Sequence, residues 1–123
     1  GLGYVRLGQN TSSFSGGEAQ RLKLLRLLLD AVDRKPCCLI FDEPSTGLSD
    51  RDVKQLLLQL LRLRDAGHTV IVVEHHLGLI KAADWLLEVG PEAASAGGTL
   101  VFQGPPAGIL KVKDSRTAPF LLS

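Results

Sequence analysis

The sequence predicts an α/β fold, a parallel sheet with flanking helices and a C-terminal β-hairpin. Three observations predict it. Two uninterrupted apolar runs, CCLIF at 37–41 and TVIVV at 69–73, each end in charged residues, which fits strands buried on both faces of a parallel sheet. Between them residues 50–66 have the spacing of an amphipathic helix, so 37–73 reads as a right-handed βαβ crossover. Further on, WLLEV at 85–89 and TLVFQ at 99–103 flank a Gly- and Ala-rich loop, the pattern of a peripheral hairpin.

The elements follow in order. Residues 1–14, rich in Gly, Asn, Ser and Thr, read as an opening loop. Residues 17–32 set Leu22, Leu25 and Leu29 on one stripe with Leu24, Leu28 and Val32 beside it, a wide apolar helix face. Asp33 to Pro36 breaks that helix ahead of the first run. Asp50 and Asp52 favour the first turn of the next helix, and Gly67 ends it after Arg62 and Arg64. Residues 77–84 form a short helix, and 105–123, with three prolines, wind along the surface with one helical turn. No repeat or linker marks a domain boundary inside the chain.

Composition narrows the class. The 123 residues suffice for one domain with a core, and 24 leucines in a 45% apolar chain exclude disorder. Lys23, Arg26, Arg62 and Arg64 interrupt the leucine stretches, so no run reaches the ~20 residues of a membrane span. The first 15 residues hold one Arg and no apolar core of a signal peptide. Fourteen basic against 13 acidic residues give a formal charge of +1, too little for a whole-chain nucleic-acid footprint. Adjacent Cys37 and Cys38 suit neither a structural bridge nor a zinc site, and read as small apolar residues of a buried strand.

In an open parallel sheet, ligands bind beyond the carboxyl ends of the strands. Both inferred strands carry their charged groups there, Asp42 and Glu43 on one, Glu74 and His75 on the other. Two adjacent carboxylates closing a buried strand are costly unless a cation or a water awaiting deprotonation meets them; capping a helix or bridging to Arg would also account for them. Ser15-Gly16-Gly17-Glu18 opens the first leucine-rich helix. Ser15 and Glu18 make a capping box, while the two glycines would let an anion such as phosphate approach bare N–H groups.

Together, SFSGGEAQR (13–21), LIFDEPSTGL (39–48) and VVEHH (72–76) resemble, in order and spacing, the nucleotide-binding domain of ATP-binding-cassette (ABC) ATPases. Ser15, Gly16, Gly17 and Glu18 match the signature loop, and Ile40 to Asp42 with Glu43 match the Walker B strand and its glutamate. Ser45, Thr46, Gly47, Leu48, Ser49 and Asp50 fall on the D-loop, and His75 on the switch histidine. Glu18-Ala19-Gln20-Arg21, Gly47-Leu48, Glu74-His75, the opening GLGYVRLGQ and LIKAADWLLEVGPEAASAGG resemble the UvrA family over essentially the whole chain. Phe14, Phe41, Ser49 and His76 depart from that family's usual residues, and Ser49 points to a UvrA-like paralogue.

The resemblance implies a partial P-loop NTPase fold in which residues 1–123 are the C-terminal portion of a nucleotide-binding domain. ATP would lie between two such domains. Asp42 would hold Mg²⁺ through water, Glu43 would act as general base, and His75 would contact the γ-phosphate. Ser15 to Glu18 would reach the nucleotide held by the opposite domain. The implied partners are a second nucleotide-binding domain, a homodimer mate, a UvrB-like protein and damaged double-stranded DNA, in the cytoplasm with no membrane. No G-x-x-x-x-G-K-[ST] occurs in the chain, so the phosphate-binding loop must come from another segment; nor is there a Gln-loop, or any CxxC pair of the family's zinc modules. An ABC transporter or drug-resistance domain, and an interaction module without turnover, are the competing expectations. Among single residues, His68 reads as a solvated loop residue, His76 as packing or capping, and Trp85 as core. Arg21 would pair with Glu18 or a partner domain, and Lys111, Lys113 and Arg116 form a solvated tail.

Overall fold

Strand formation begins earlier than the sequence predicts. The computed structural model describes residues 4–7, 22, 23, 26, 30, 31, 34–90 and 98–122. Within the expected opening loop, Tyr4–Leu7 forms strand β1, aligned parallel to β2 (Cys38–Asp42) in the register Tyr4 to Cys38 through Leu7 to Phe41. Four residues flanked by Gly3 and Gly8 give too short a periodic signal, and pairing along β2 supplies what local propensity does not. Strand β3 (Thr69–Val73) lies parallel on the other side of β2, giving the order β1-β2-β3. Residues 22, 23, 26, 30 and 31 are helical, within the predicted 17–32 helix; Leu24, Leu25, Leu28, Leu29 and Val32 of its stripe lie outside the described residues. Leu22 is exposed, not on a buried stripe.

Helix α1 (Asp50–Asp65) links β2 to β3 and buries Val53, Leu56, Leu60 and Leu63, a single face at helical spacing. Ser49 is its N-cap: the hydroxyl accepts from the Asp52 N–H at 3.3 Å and donates to the Asp52 carboxylate at 2.9 Å. Its other end is a Schellman turn. Gly67, with φ of 100°, donates to Arg64 O, and His68 N–H donates to Leu63 O. A right-handed β2–α1–β3 crossover sets α1 on one face of the sheet. The burial follows: Leu39 and Phe41 are 1% exposed, whereas Ile71 and Val73 on the opposite face are 43% and 53% exposed. The expectation that β3 is buried on both faces therefore fails, because β3 is an edge strand among the described residues and only one of its faces meets a helix.

The chain forms two compact units that divide between His75 and His76, where the sequence shows no linker to mark a boundary. The second unit has its own small core of Leu79, Ile109 and Ala118. Helix α2 (Leu77–Ala82) is capped by His76, whose Nδ1 accepts from Gly78 N–H at 3.1 Å, in line with the capping role expected of it. Strands β4 (Leu86–Val89) and β5 (Leu100–Gly104) form the expected antiparallel hairpin. Two helical turns follow instead of one, a 3₁₀ turn at Pro106–Lys111 and α3 (Ala118–Leu121). Trp85 is not core but 57% exposed, since it precedes a two-stranded ribbon with one open face.

The C-terminal tail is fastened by one carboxylate. Glu88 on β4 accepts from Ser115 Oγ at 2.5 Å, Arg116 N–H at 3.0 Å, Thr117 N–H at 3.1 Å and Thr117 Oγ1 at 3.0 Å. Partial burial pushes its pKa up, but the hydrogen bonds from Ser115 and Thr117, with Arg116 N–H, together pull it below the usual carboxylate value. The side chains of Lys111, Lys113 and Arg116 are exposed, as expected of a solvated tail.

Candidate functional site

The first unit brings the loops after β2 and β3 side by side, because adjacent parallel strands end at the same edge. Asp42 ends β2, half-buried, with Val73 as its register partner. Glu43 follows in the left-handed region at φ 47°, the one described non-glycine residue with positive φ. Such a conformation costs on the order of 1 kcal/mol and persists where surrounding bonds impose it. Those bonds are visible: Glu43 N–H donates to Val73 O at 2.8 Å, and Glu43 O accepts from Thr46 N–H at 3.2 Å. Pro44, buried, fixes the turn that follows.

This backbone aims the Glu43 side chain at the next strand's loop. His75 Nδ1 lies 3.7 Å from Glu43 Oε1, with side chains 82% and 44% exposed. Glu74, the residue before His75, bonds backbone N–H groups of both loops. Its Oε1 accepts from Ser45 N–H at 2.8 Å and its Oε2 from His75 N–H at 3.1 Å. The segment Ser45 to Asp50 runs from this anchor into α1. Leu48 N–H donates to Ser45 O at 3.0 Å, Gly47 turns at φ 78°, Thr46 and Gly47 are exposed, and Ser49 and Asp50 begin the helix.

The structure thus assembles Asp42, Glu43, Ser45 and His75 at one edge. Ser15, Gly16, Gly17, Glu18 and Arg21 lie outside the described residues. No group of three or more His, Cys, Asp or Glu side chains among the described residues could cage a metal. The donor set suits Mg²⁺ in its usual manner only, one or two carboxylates completed by water and phosphate oxygens.

The chain has 50% identity to the UvrABC system protein A of Vibrio vulnificus over 121 residues, 98% of this chain and 13% of that protein. The same protein of Haemophilus influenzae matches equally, at 50% over 121 residues. Among solved structures, UvrA2 from Deinococcus radiodurans superposes with a TM-score of 0.80 at 48% identity, covering 89% of this chain and 13% of that one. The chain is UvrA-like. No family model matches it. The UvrA-like chain spans about 13% of the length of these relatives. A transporter domain, the competing expectation, is not what these matches name.

Two residues of this UvrA-like segment have partners that the sequence does not reveal. His68 is not solvated but 4% exposed. Its Nδ1 accepts from Cys37 N–H at 3.1 Å and its Nε2 faces Ala31 O at 2.8 Å, a pairing that requires the neutral ring with the proton on Nε2. The Schellman turn at Gly67 swings this side chain back toward the start of β2, and Gly67 was the available signal. Cys37 Sγ lies 3.4 Å from the same nitrogen, and both cysteines are free and half-buried, so neither is the fully buried strand residue expected. Glu74 is the other: its place after an apolar run was visible, its two backbone partners were not.

Proposed function

We propose that this segment supplies the hydrolytic residues of an ATP site in a UvrA-like protein of nucleotide excision repair. The observation that carries the reading is the Glu43–His75 pair, held at the shared edge of β2 and β3 by a strained backbone and open to solvent. A site finished by substrate from outside needs that openness.

ATP is the substrate and water the nucleophile. Glu43 takes a proton from the water as it attacks the γ-phosphorus, the bond to ADP breaks, and phosphate leaves. His75 holds the γ-phosphate and the water in line against Glu43. Asp42 would hold Mg²⁺, which when bound would offset the phosphate charge. The phosphate-binding loop comes from another segment, since the chain has no G-x-x-x-x-G-K-[ST]. Ser15, Gly16, Gly17 and Glu18 reach a nucleotide held by an opposing domain, with Ser45 to Asp50 at the same junction. The cycle serves a cytoplasmic dimer that engages damaged double-stranded DNA and a UvrB-like protein. About half identity across 98% of the chain to proteins named UvrABC system protein A supports this assignment. The sequence holds no CxxC pair of the kind that binds zinc in the wider family, and no described helix is long and apolar enough to cross a membrane.

The experiment is to measure ATP hydrolysis by the 123-residue chain alone and by a protein in which a phosphate-binding-loop segment precedes it. Turnover is expected only in the second. Turnover by the chain alone would overturn the division of labour.

A further inference from the structure

Glu74 has no part in the chemistry just described, yet it holds both loops that do. The carboxylate sits at the end of β3, half-buried, and divides its oxygens between two backbones: Oε1 on Ser45 N–H at 2.8 Å, Oε2 on His75 N–H at 3.1 Å. Ser45 stands two residues after Glu43 and opens the segment that leads into α1. His75 carries the ring that faces Glu43 at 3.7 Å. One side chain therefore fixes the spacing between the loop of the base and the loop of its histidine. Charge-assisted bonds to backbone N–H groups are short and directional, and a carboxylate can serve two donors at once where a neutral amide oxygen serves one side only.

Glu43 N–H also donates to Val73 O, which secures the base's backbone rather than that of His75. The ring of His75 is 82% exposed, so packing does not hold it. Its position against Glu43 depends on where its own N–H is tied.

Resting on the ATP-site reading, we infer that Glu74 is a positioning residue for hydrolysis: its carboxylate sets His75 against Glu43 and locks that geometry to the Ser45–Asp50 segment. Conformational changes in that segment are then transmitted to the histidine through the Glu74 side chain. Misplacement of a reacting group by about 1 Å costs up to ~100-fold in rate without a matching loss of binding.

The test uses the complete ATP-hydrolysing protein that carries this segment. Glu74→Ala is expected to lower kcat about 10- to 100-fold while KM for ATP and the melting temperature stay near wild type. Glu74→Gln keeps one acceptor oxygen, so its kcat should fall between the two. Should Glu74→Ala fail to fold, Glu74→Gln carries the same comparison. Unchanged kcat in both variants overturns the inference, and so does a loss of kcat that merely tracks a loss of folded protein. Glu43→Gln is measured alongside. If Glu43→Gln slows turnover as expected while Glu74→Ala and Glu74→Gln leave kcat unchanged, only the positioning role fails. If Glu43→Gln turns over normally, the ATP-site reading itself fails and the role of Glu74 with it.

Discussion

His75 Nδ1 stands 3.7 Å from Glu43 Oε1, although the two residues are carried by different loops and both side chains reach solvent. That distance is longer than a hydrogen bond and short enough to close on one when phosphate and water enter. Parallel pairing of β2 with β3 creates the meeting, and the left-handed backbone of Glu43 completes it. Because the His75 ring is so exposed, removing it should leave the fold intact. In the complete protein, His75→Ala is expected to lower ATP turnover by about 10²-fold with the unfolding midpoint unchanged. Parallel loss of stability would make His75 structural.

His68 ties three parts of the first unit together: helical Ala31, Cys37 just before β2 and the turn after α1. His68→Ala leaves the Cys37 N–H and the Ala31 carbonyl without this partner and opens a void. The expected cost is about 3 kcal/mol, read from denaturant unfolding. A change below about 0.5 kcal/mol, the usual size for a surface substitution, would contradict the buried bridge.

Glu88 predicts an acid-sensitive C-terminal unit. Its folded pKa lies below the ordinary 4.5, so its contribution is fully present above that pH and is lost as pH falls through the folded value. Glu88→Gln should be less stable than wild type near neutrality, and the gap between them should narrow on acidification below 4.5. Thermal unfolding of both proteins across that range checks it. A gap constant with pH would mean that the charge of Glu88 is immaterial.

The sequence made most of this architecture readable, for identifiable reasons. β3 and α1 lie within a residue of their expected bounds, because an apolar run closed by Glu74-His75 and a face of Val53, Leu56, Leu60 and Leu63 are strong periodic signals. β1 was missed because a four-residue strand is specified by its partner, not by itself. Asp42, Glu43 and His75 were legible as polar strand ends, and the meeting of Glu43 with His75 follows from parallel pairing together with the left-handed backbone of Glu43. The backbone partners of Glu74 and the burial of His68 were not legible, since both depend on how turns orient a side chain. Trp85 misled for the opposite reason: a large aromatic residue reads as core, but a two-stranded ribbon has a face with nothing on it.

The central claim is that Glu43 deprotonates the water that attacks ATP. Its most direct test is the steady-state rate of phosphate release by the complete protein with Glu43→Gln, measured beside ATP affinity. Glutamine keeps the size and the backbone bonds of Glu43 and removes only the base. The account predicts hydrolysis slowed by about 10²-fold or more with ATP still bound. Near-normal phosphate release from that variant would contradict it.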